Sequence, residues 1–186
     1  MARLLSFSLL LWYCLLVSCG NHQPVAGVES GSAKMKLTSA VFSEGASIPG
    51  KYACDGEDRS PPLKWDGAPK ETRSFAIICD DPDAPSGTWV HWVVYDLTPA
   101  TTELAEAIPP LNSVPGGGTQ GNNDFGRVGY GGPCPPQGKA HHYYFKLYAL
   151  DRELGLGAGV TKQVVIDAMK NHILSEAQLV GIYQRK

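Results

Sequence analysis

The sequence predicts a mainly β protein, a β-sandwich that carries short helical additions. The chain of 186 residues contains 21 Gly and 14 Pro, a composition that suits short strands joined by shaped loops. Segments rich in β-branched and aromatic residues come first, and the one strong helical pattern comes near the C-terminus. The sequence lacks the alternation of strands and helices that a doubly wound fold requires.

Four segments before the helical pattern are predicted as strands. The first alternates between apolar and polar residues, and the others are rich in aromatic and β-branched residues. In chain order they are MKLTSAVF, RSFAIICDD, VHWVVYDL and HHYYFKLYALD. The connections SEGASIPG, CDGEDRSPPL, DPDAPSGT and VPGGGTQGNNDFG carry the Gly, Pro, Asn and Asp residues that are typical of turns.

The C-terminal region is predicted to form one helix followed by a last strand. Thr161 is a possible N-cap, and Val165, Met169 and Ile173 recur at a spacing of four residues. The segment AQLVGIYQR then returns to a strand-like composition.

The first residues of the chain are typical of a secretory signal. Arg3 precedes an apolar run over 4–18, which is shorter than the ~20 residues that a membrane-spanning helix needs. The run ends in Leu-Val-Ser-Cys, which resembles a bacterial lipobox, so residues 1–18 are predicted as a lipoprotein signal peptide and Cys19 as the lipidated mature N-terminus. The alternative is ordinary cleavage nearby, with Cys19 unmodified. Gly20 after the cysteine resembles Gram-negative lipoproteins of the outer membrane, which predicts lipid anchoring in the cell envelope, facing the periplasm.

Residues 19–34 are predicted as a flexible tether, and residues 35–186 as one folded domain. The tether is rich in Gly, Ser, Pro and Ala and has little to bury. The whole chain has a formal net charge of −2, which becomes −3 without residues 1–18 because Arg3 is the only charged residue there. This balance argues against a nucleic-acid partner and against a basic membrane-binding patch, so membrane attachment is expected through lipid on Cys19.

The connection DDPDAPSGTWVHW, residues 80–92, places acids and a histidine on a stiff loop between two predicted strands. Its prolines restrict the backbone around Asp81 and Asp83. Such a loop either shapes a turn or holds polar groups in place for a ligand.

A second unusual segment, GYGGPCPPQGKAHHYYFKLYAL, covers residues 129–150. Its glycines permit close backbone approach, and their successive amides could form an anion-binding nest. A phosphate-loop interpretation of Gly138-Lys139 fails, because Pro133 stands at the first glycine position and Ala140 replaces the magnesium-binding Ser or Thr.

Strand alternation predicts which of these side chains share a face. His141 and Tyr143 fall on one face, and His142 falls on the other. The same rule places Trp89, His91 and Val93 together and turns Trp92 away. The candidate polar set is therefore His91, His141 and Tyr143 with an acid from the Asp-Pro-Asp loop. Two histidines and a carboxylate could bind zinc, but no HxH or HExxH spacing supports that alternative, so neither a metal nor a cofactor is expected.

Three cysteines, Cys54, Cys79 and Cys134, remain in the predicted domain. An exported protein permits disulfides, and an odd count leaves at least one thiol unpaired within a monomer. Spacing alone leaves the choice of pair open.

Taken together, these motifs resemble the phosphatidylethanolamine-binding protein family, also called Raf kinase inhibitor-like proteins, and most closely its bacterial branch. The resemblance covers residues 35–186 and includes CDGEDRSPPLKW, QGNNDFG and AMKNHILSEAQLVGIYQR. It implies a two-sheet antiparallel β-sandwich with a preformed anion pocket at one end. The residues that it implies for ligand binding are Asp81, Asp83, His91, Gly132, Pro136, His141 and Tyr143.

The resemblance also favours a Cys54–Cys134 disulfide, because both cysteines lie in loop motifs of the bacterial branch whereas Cys79 lies in a strand. The chain departs from the family at His142, where an arginine is usual, and it lacks the extra C-terminal helix of animal members. The first departure lies on the opposite face from the predicted pocket. The second concerns access to the pocket.

The predicted function is binding of a phosphate-bearing small group, such as phosphorylethanolamine, by a regulatory or inhibitory module rather than an enzyme. The expected partners are an anionic small molecule or phospholipid head group, and the membrane through Cys19. One alternative is a hydrolase that uses Cys134 or a water as nucleophile, His91 or His141 as base and Asp81 as orienting group. Another is a protein-level inhibitor of kinases or proteases that acts through an exposed loop such as 114–125.

Overall fold

The computed structural model describes residues 34–186. They form eight strands, one α-helix and one turn of 3-10 helix at Gly50–Tyr52. The strands are β1 Lys36–Thr38, β2 Leu63–Asp66, β3 Ser74–Asp81, β4 Trp89–Leu97, β5 Glu103–Leu104, β6 Thr119–Gln120, β7 His141–Leu150 and β8 Ile173–Tyr183, and the helix is α1 Lys162–Met169.

The strands form two sheets, with order β1-β2-β5 in the smaller and β6-β4-β3-β7-β8 in the larger. Every pair of neighbouring strands is antiparallel. The prediction of a mainly β, two-sheet antiparallel sandwich is confirmed.

The strands β3 and β4 of the larger sheet are buried on both faces, which explains their continuous apolar composition. All eight residues of β3 are buried. One face packs against the smaller sheet in a layer that includes Phe75 and Phe145. The other face packs against α1 in a second layer, to which the helix contributes Val165 and Met169. A strand covered on both sides needs no polar alternation.

The α-helix is shorter than the sequence predicted. Thr161 occupies the N-cap position with an extended backbone, although its side chain makes no capping hydrogen bond. The helix ends at Met169, and Asn171 adopts a positive φ of 64° that turns the chain away. Ile173 is therefore the first residue of β8 and is 41 % exposed, so its inclusion in the apolar stripe of the helix was wrong.

The predicted faces of β7 are observed, but those of β4 are not. His141 and Tyr143 are buried, whereas His142 is exposed. On β4, Cys79 lies opposite Trp92 while Asp80 lies opposite Val90, so His91 is the extra residue of a β-bulge.

The bulge breaks the alternation on which the prediction for β4 depended. Trp92 packs in the layer between the sheets, and Val93 packs in the opposite layer. The His91 ring stacks edge-on against Tyr143, which belongs to the layer between the sheets, with ring centroids 5.1 Å apart. Hence Trp92 shares a side with His91 and Val93 points away, the reverse of the expectation.

The segment offered as an inhibitory loop, residues 114–125, is built into the sandwich. It contains β6, which pairs with β4, and both Val114 and Gln120 are buried. The Gln120 side chain accepts a hydrogen bond from Trp92 Nε1 and donates to the carbonyls of Pro109 and Leu111. A free inhibitory loop over this whole segment is therefore wrong, because its middle is a hydrogen-bonded strand.

The signal peptide, Cys19 and nearly all of the tether lie outside the described residues. Within residues 34–186, no helix has both the length and the apolar character that a membrane crossing needs.

Candidate functional site

A cavity of about 230 Å³ opens where β3, β4 and β7 meet their loops. It brings together four of the predicted residues with a set of apolar neighbours. Its lining consists of Asp81, Ala84, Pro85, Ser86, Trp89, His91, Phe125, Cys134, Pro135, Pro136 and His141. A wider groove of about 830 Å³ lies beside β1 and β8, but none of the predicted site residues lines it.

Asp81 and His141 form a buried, oriented pair across β3 and β7. Asp81 Oδ2 accepts a hydrogen bond from His141 Nδ1 at 2.8 Å, and Asp81 Oδ1 accepts one from the backbone N–H of Asp83 at 2.8 Å. A carboxylate can only accept here, so Nδ1 carries the proton and Nε2 remains for a ligand. Both side chains are almost fully buried, which protects the pair from competition by solvent.

His91 is oriented in the same way by the glycine-rich loop. Its Nδ1 lies 2.6 Å from the carbonyl oxygen of Gly131, and the Gly131 N–H donates back to the His91 carbonyl at 2.9 Å. Since a carbonyl only accepts, His91 Nδ1 is the protonated nitrogen and Nε2 is again the free one. Burial lowers the pKa of His91, although the Gly131 carbonyl and Asp81 oppose that shift. Without a ligand, His91 therefore favours its neutral form.

Trp89 and Phe125 form an aromatic wall beside the two histidines. The Phe125 ring stacks edge-on against both Trp89, at 5.5 Å, and His91, at 5.4 Å between centroids. The indole Nε1 of Trp89 is buried and has no hydrogen-bond partner among residues 34–186. An indole N–H is a donor only, so this buried group is left without an acceptor among the described residues.

The turn that carries Phe125 is held by two polar side chains from the QGNNDFG motif. Asn123 Oδ1 accepts from the N–H groups of Phe125 and Arg127, and its Nδ2 donates to the Gly129 carbonyl. Asp124 Oδ2 accepts from the backbone N–H of Val90 at 2.7 Å. The predicted site omitted Trp89 and Phe125, yet the motif itself and the position of Trp89 two residues before His91 were signals for them.

Tyr143 lies beneath the cavity rather than in its wall. It is fully buried, and its hydroxyl has no hydrogen-bond partner among the described residues. Burial raises the pKa of Tyr143, and the nearby Asp81 raises it further. The hydroxyl therefore stays protonated, and the ring supports His91 from behind.

The predicted anion nest of glycine amides is not formed. The N–H of Gly129 donates to the carbonyl of Gly121, and that of Gly131 to the carbonyl of His91. The N–H of Gly132 donates to Asp58 Oδ1 at 2.6 Å. All three amides are used inside the fold, so Gly132 does not offer a free donor to a ligand. Glycine is needed there because a Cβ would collide with the Tyr52 carbonyl oxygen.

Asp83 also differs from its predicted role, because its carboxylate lies outside the cavity lining. Its Oδ2 accepts from the backbone N–H of His142 at 2.9 Å and from His142 Nδ1 at 2.7 Å. These bonds lower the pKa of Asp83. The Asp83 carboxylate therefore lies with His142 on the solvent-facing side of β7, whereas the Asp81 carboxylate lies with His141 in the interior.

The structure joins Cys54 to Cys134, the pair that the resemblance favoured, with Cα atoms 5.4 Å apart. Cys79 remains a free, buried thiol whose pKa is raised by burial. Cys134 lines the cavity as part of a disulfide. The alternative in which Cys134 attacks an ester is therefore wrong for this form of the protein, because its sulfur carries no thiolate.

The zinc alternative finds no geometric support in the described domain. Within residues 34–186, no three His, Cys, Asp or Glu side chains converge in an arrangement that could hold a metal ion.

A family model described as "Phosphatidylethanolamine-binding protein" matches residues 38–184 of the chain. The chain belongs to the phosphatidylethanolamine-binding protein family. The resemblance seen in the sequence motifs is therefore confirmed, and the match covers strands β2 to β8 and every residue that lines the cavity.

Two UPF0098 proteins are similar to this chain over nearly their whole length. A UPF0098 protein of Methanothermobacter thermautotrophicus is 51 % identical over 151 residues, which are 81 % of this chain and 99 % of that protein. A UPF0098 protein of Aquifex aeolicus is 49 % identical over 158 residues, which are 84 % of this chain and 92 % of that protein.

Two solved structures share the fold of this family member. One is a putative phosphatidylethanolamine-binding protein homologue, CT736, from Chlamydia trachomatis, with a TM-score of 0.73 and 42 % identity over 82 % of this chain and 99 % of that chain. The other is YbcL of E. coli, described as a new member of the mammalian family, with a TM-score of 0.76 and 32 % identity over 83 % of this chain and 100 % of that chain.

Proposed function

We propose that the cavity binds a small phosphate-bearing group, of which phosphorylethanolamine is the first probe. The observation that carries this proposal is the pair of oriented imidazoles. His91 and His141 each donate Nδ1 to an internal acceptor, which leaves two Nε2 atoms in one cavity. Protonated imidazoles are suitable donors for phosphate oxygens.

The size of the cavity favours a compact group. At about 230 Å³ it is smaller than the roughly 300–1,000 Å³ typical of sites for drug-sized ligands. It would hold a head group while any longer chain stayed outside. Asp81 orients His141 and brings a carboxylate into the cavity lining, so a ligand that carries an ammonium beside its phosphate would complement the site.

A hydrolase that uses water is the second candidate function. The Asp81–His141 pair has the geometry of an orienting carboxylate and a general base, with 2.8 Å between Oδ2 and Nδ1. Incubation of the native protein with phosphate and carboxyl esters separates the two functions. Repeated turnover would favour the hydrolase, and stoichiometric binding without turnover favours the binding module.

Affinity for the phosphate group should fall as pH rises above neutrality. Burial keeps the pKa of His91 low in the free protein, and a bound anion should raise it. Because the complex then holds more protons than the free protein, binding takes up protons and weakens as pH rises through the bound-state pKa.

Calorimetry with phosphorylethanolamine at about pH 7 and about pH 8.5 tests this, since a phosphate monoester with a second pKa near 6 is mostly ionised at both. Titration in two buffers of different ionisation enthalpy counts the protons directly, and inorganic phosphate serves as the bare-anion control. Proton release on binding, or an affinity that rises with pH, would contradict the proposed role of the histidines.

The proposal extends to the location of the protein, with lipid on Cys19 holding it to the envelope membrane. Mass spectrometry of the native protein should find diacylglycerol on Cys19 as the first residue, and Cys19→Ala should release the protein from membranes. The Leu-Val-Ser-Cys ending of the apolar run and the tether after it support this expectation. A freely soluble native protein that begins at another residue would contradict it.

A further inference from the structure

The loop between β3 and β4 forms the rim of the cavity, and it makes few hydrogen bonds to the rest of the described domain. Residues 82–88 join β3 to β4 and supply Ala84, Pro85 and Ser86 to the cavity wall. Within this segment, Gly87 N–H donates to the Ala84 carbonyl, and Asp83 N–H donates to Asp81 at the end of β3. Among the described residues, its hydrogen bonds to another strand are those of the Asp83 carboxylate with His142 on β7.

Two adjacent histidines of β7 therefore form hydrogen bonds with the two acids of the Asp-Pro-Asp loop, one on each face of the strand. His141 donates to Asp81 inside the cavity, where both side chains are buried. His142 donates to Asp83 outside it, where the side chains are 47 % and 41 % exposed. The same strand thus places a ligand-facing imidazole and fixes the rim that surrounds it.

We infer that Asp83 is a positioning residue, which holds the cavity rim against β7 through His142 and does not itself touch the ligand. The inference rests on the proposed function for the role of the cavity. Both bonds to His142 use Oδ2 on the solvent side of β7, whereas a ligand contact would need the carboxylate in the cavity lining. A carboxylate without such partners that faced the phosphate would also repel it.

Asp83 should therefore raise the affinity of the cavity for every ligand by the same factor. Ordering a rim segment before binding removes an entropic cost from the binding step, whatever group enters. An exposed pair of this kind adds little to global stability. Its effect is therefore expected on the rim and on affinity, with little change in the unfolding midpoint.

The test compares Asp83→Ala with Asp83→Asn in the native, full mature protein. Asp83→Ala should weaken the binding of inorganic phosphate and of phosphorylethanolamine by the same factor, about three- to tenfold. The reason is that the rim loses its hydrogen bonds to β7 and must be ordered when the ligand binds. Asp83→Asn should recover most of the loss, since its amide oxygen still accepts from the His142 N–H. His142→Ala keeps that backbone donor and should cost less than Asp83→Ala.

Hydrogen exchange of residues 84–88 in the ligand-free protein is a second readout that needs no ligand. Exchange should be faster in Asp83→Ala and near native in Asp83→Asn. If Asp83→Ala lowered the affinity for phosphorylethanolamine alone, Asp83 would contact the ammonium, and the inference would be overturned. Unchanged hydrogen exchange of the rim in Asp83→Ala would overturn it as well. If the native protein binds neither probe, the proposed function fails, while the exchange rates still decide whether Asp83 holds the rim.

Discussion

Replacement of either cavity histidine is expected to weaken phosphorylethanolamine binding about tenfold to a hundredfold. In the proposed complex, His91→Ala and His141→Ala would each remove one hydrogen bond to the phosphate, for which roughly 1.5–3 kcal/mol is typical when a charged group takes part. The two imidazoles are held by separate acceptors, Gly131 and Asp81, so each loss should be measurable by itself. Calorimetry on the purified variants measures the change.

His142→Ala is the matched control for this experiment. It removes the neighbouring imidazole of the same strand, on the face away from the cavity, and should cost at most a few-fold through the rim. Thermal unfolding should be recorded first, because His141→Ala leaves the buried Asp81 without its imidazole partner. Equal losses for His141→Ala and His142→Ala would contradict the assigned faces, and unchanged binding in His91→Ala would remove His91 from the site.

Loss of the Cys54–Cys134 disulfide is expected to lower the free energy of unfolding by about 2–5 kcal/mol. The two cysteines are 80 residues apart in the sequence, so the bond restricts a long loop of the unfolded chain. Denaturant unfolding of a Cys54→Ser/Cys134→Ser double variant should show a lower midpoint, as should the reduced native protein.

The double variant in the presence of a reductant is the control, since it has no disulfide left to reduce. Phosphate affinity should fall with stability, because Cys134, Pro135 and Pro136 together form part of the cavity wall. An unfolding midpoint that reduction leaves unchanged would show that the bond restricts little in the unfolded chain. An unchanged affinity would show that other contacts hold the wall.

The central strands could be predicted because local composition carries their signal. β3, β4 and β7 have enough residues for a run of β-branched and aromatic side chains to stand out between turn motifs. The strands β5 and β6 have two residues each and so carry no pattern. They exist because neighbouring strands offer them hydrogen bonds, which is information from distant parts of the chain.

The same distinction between local sequence signals and contacts from distant parts of the chain applies to the candidate site. His91, His141 and an acid of the Asp-Pro-Asp loop could be selected from the sequence, because the chemistry of a stiff acidic loop and a histidine-bearing strand is visible locally. The family resemblance was needed to name Asp81 and Pro136, which also line the cavity. Asp83 and Gly132 could not be placed, because their partners come from elsewhere. His142 lies 59 residues from Asp83, and Asp58 lies 74 residues from Gly132.

By itself, the sequence determined the class of fold, the family, the stiff loop, and the alternation that puts His141 inside and His142 outside. These features depend on residues that are close along the chain, where side-chain period and proline restriction act directly. Only the tertiary structure decided the side of β4 on which Trp92 lies, because the bulge at His91 arises from its pairing with β3. It also decided that the glycine amides serve Asp58 and His91 rather than a ligand, since a buried N–H bonds whichever acceptor the completed fold brings nearest.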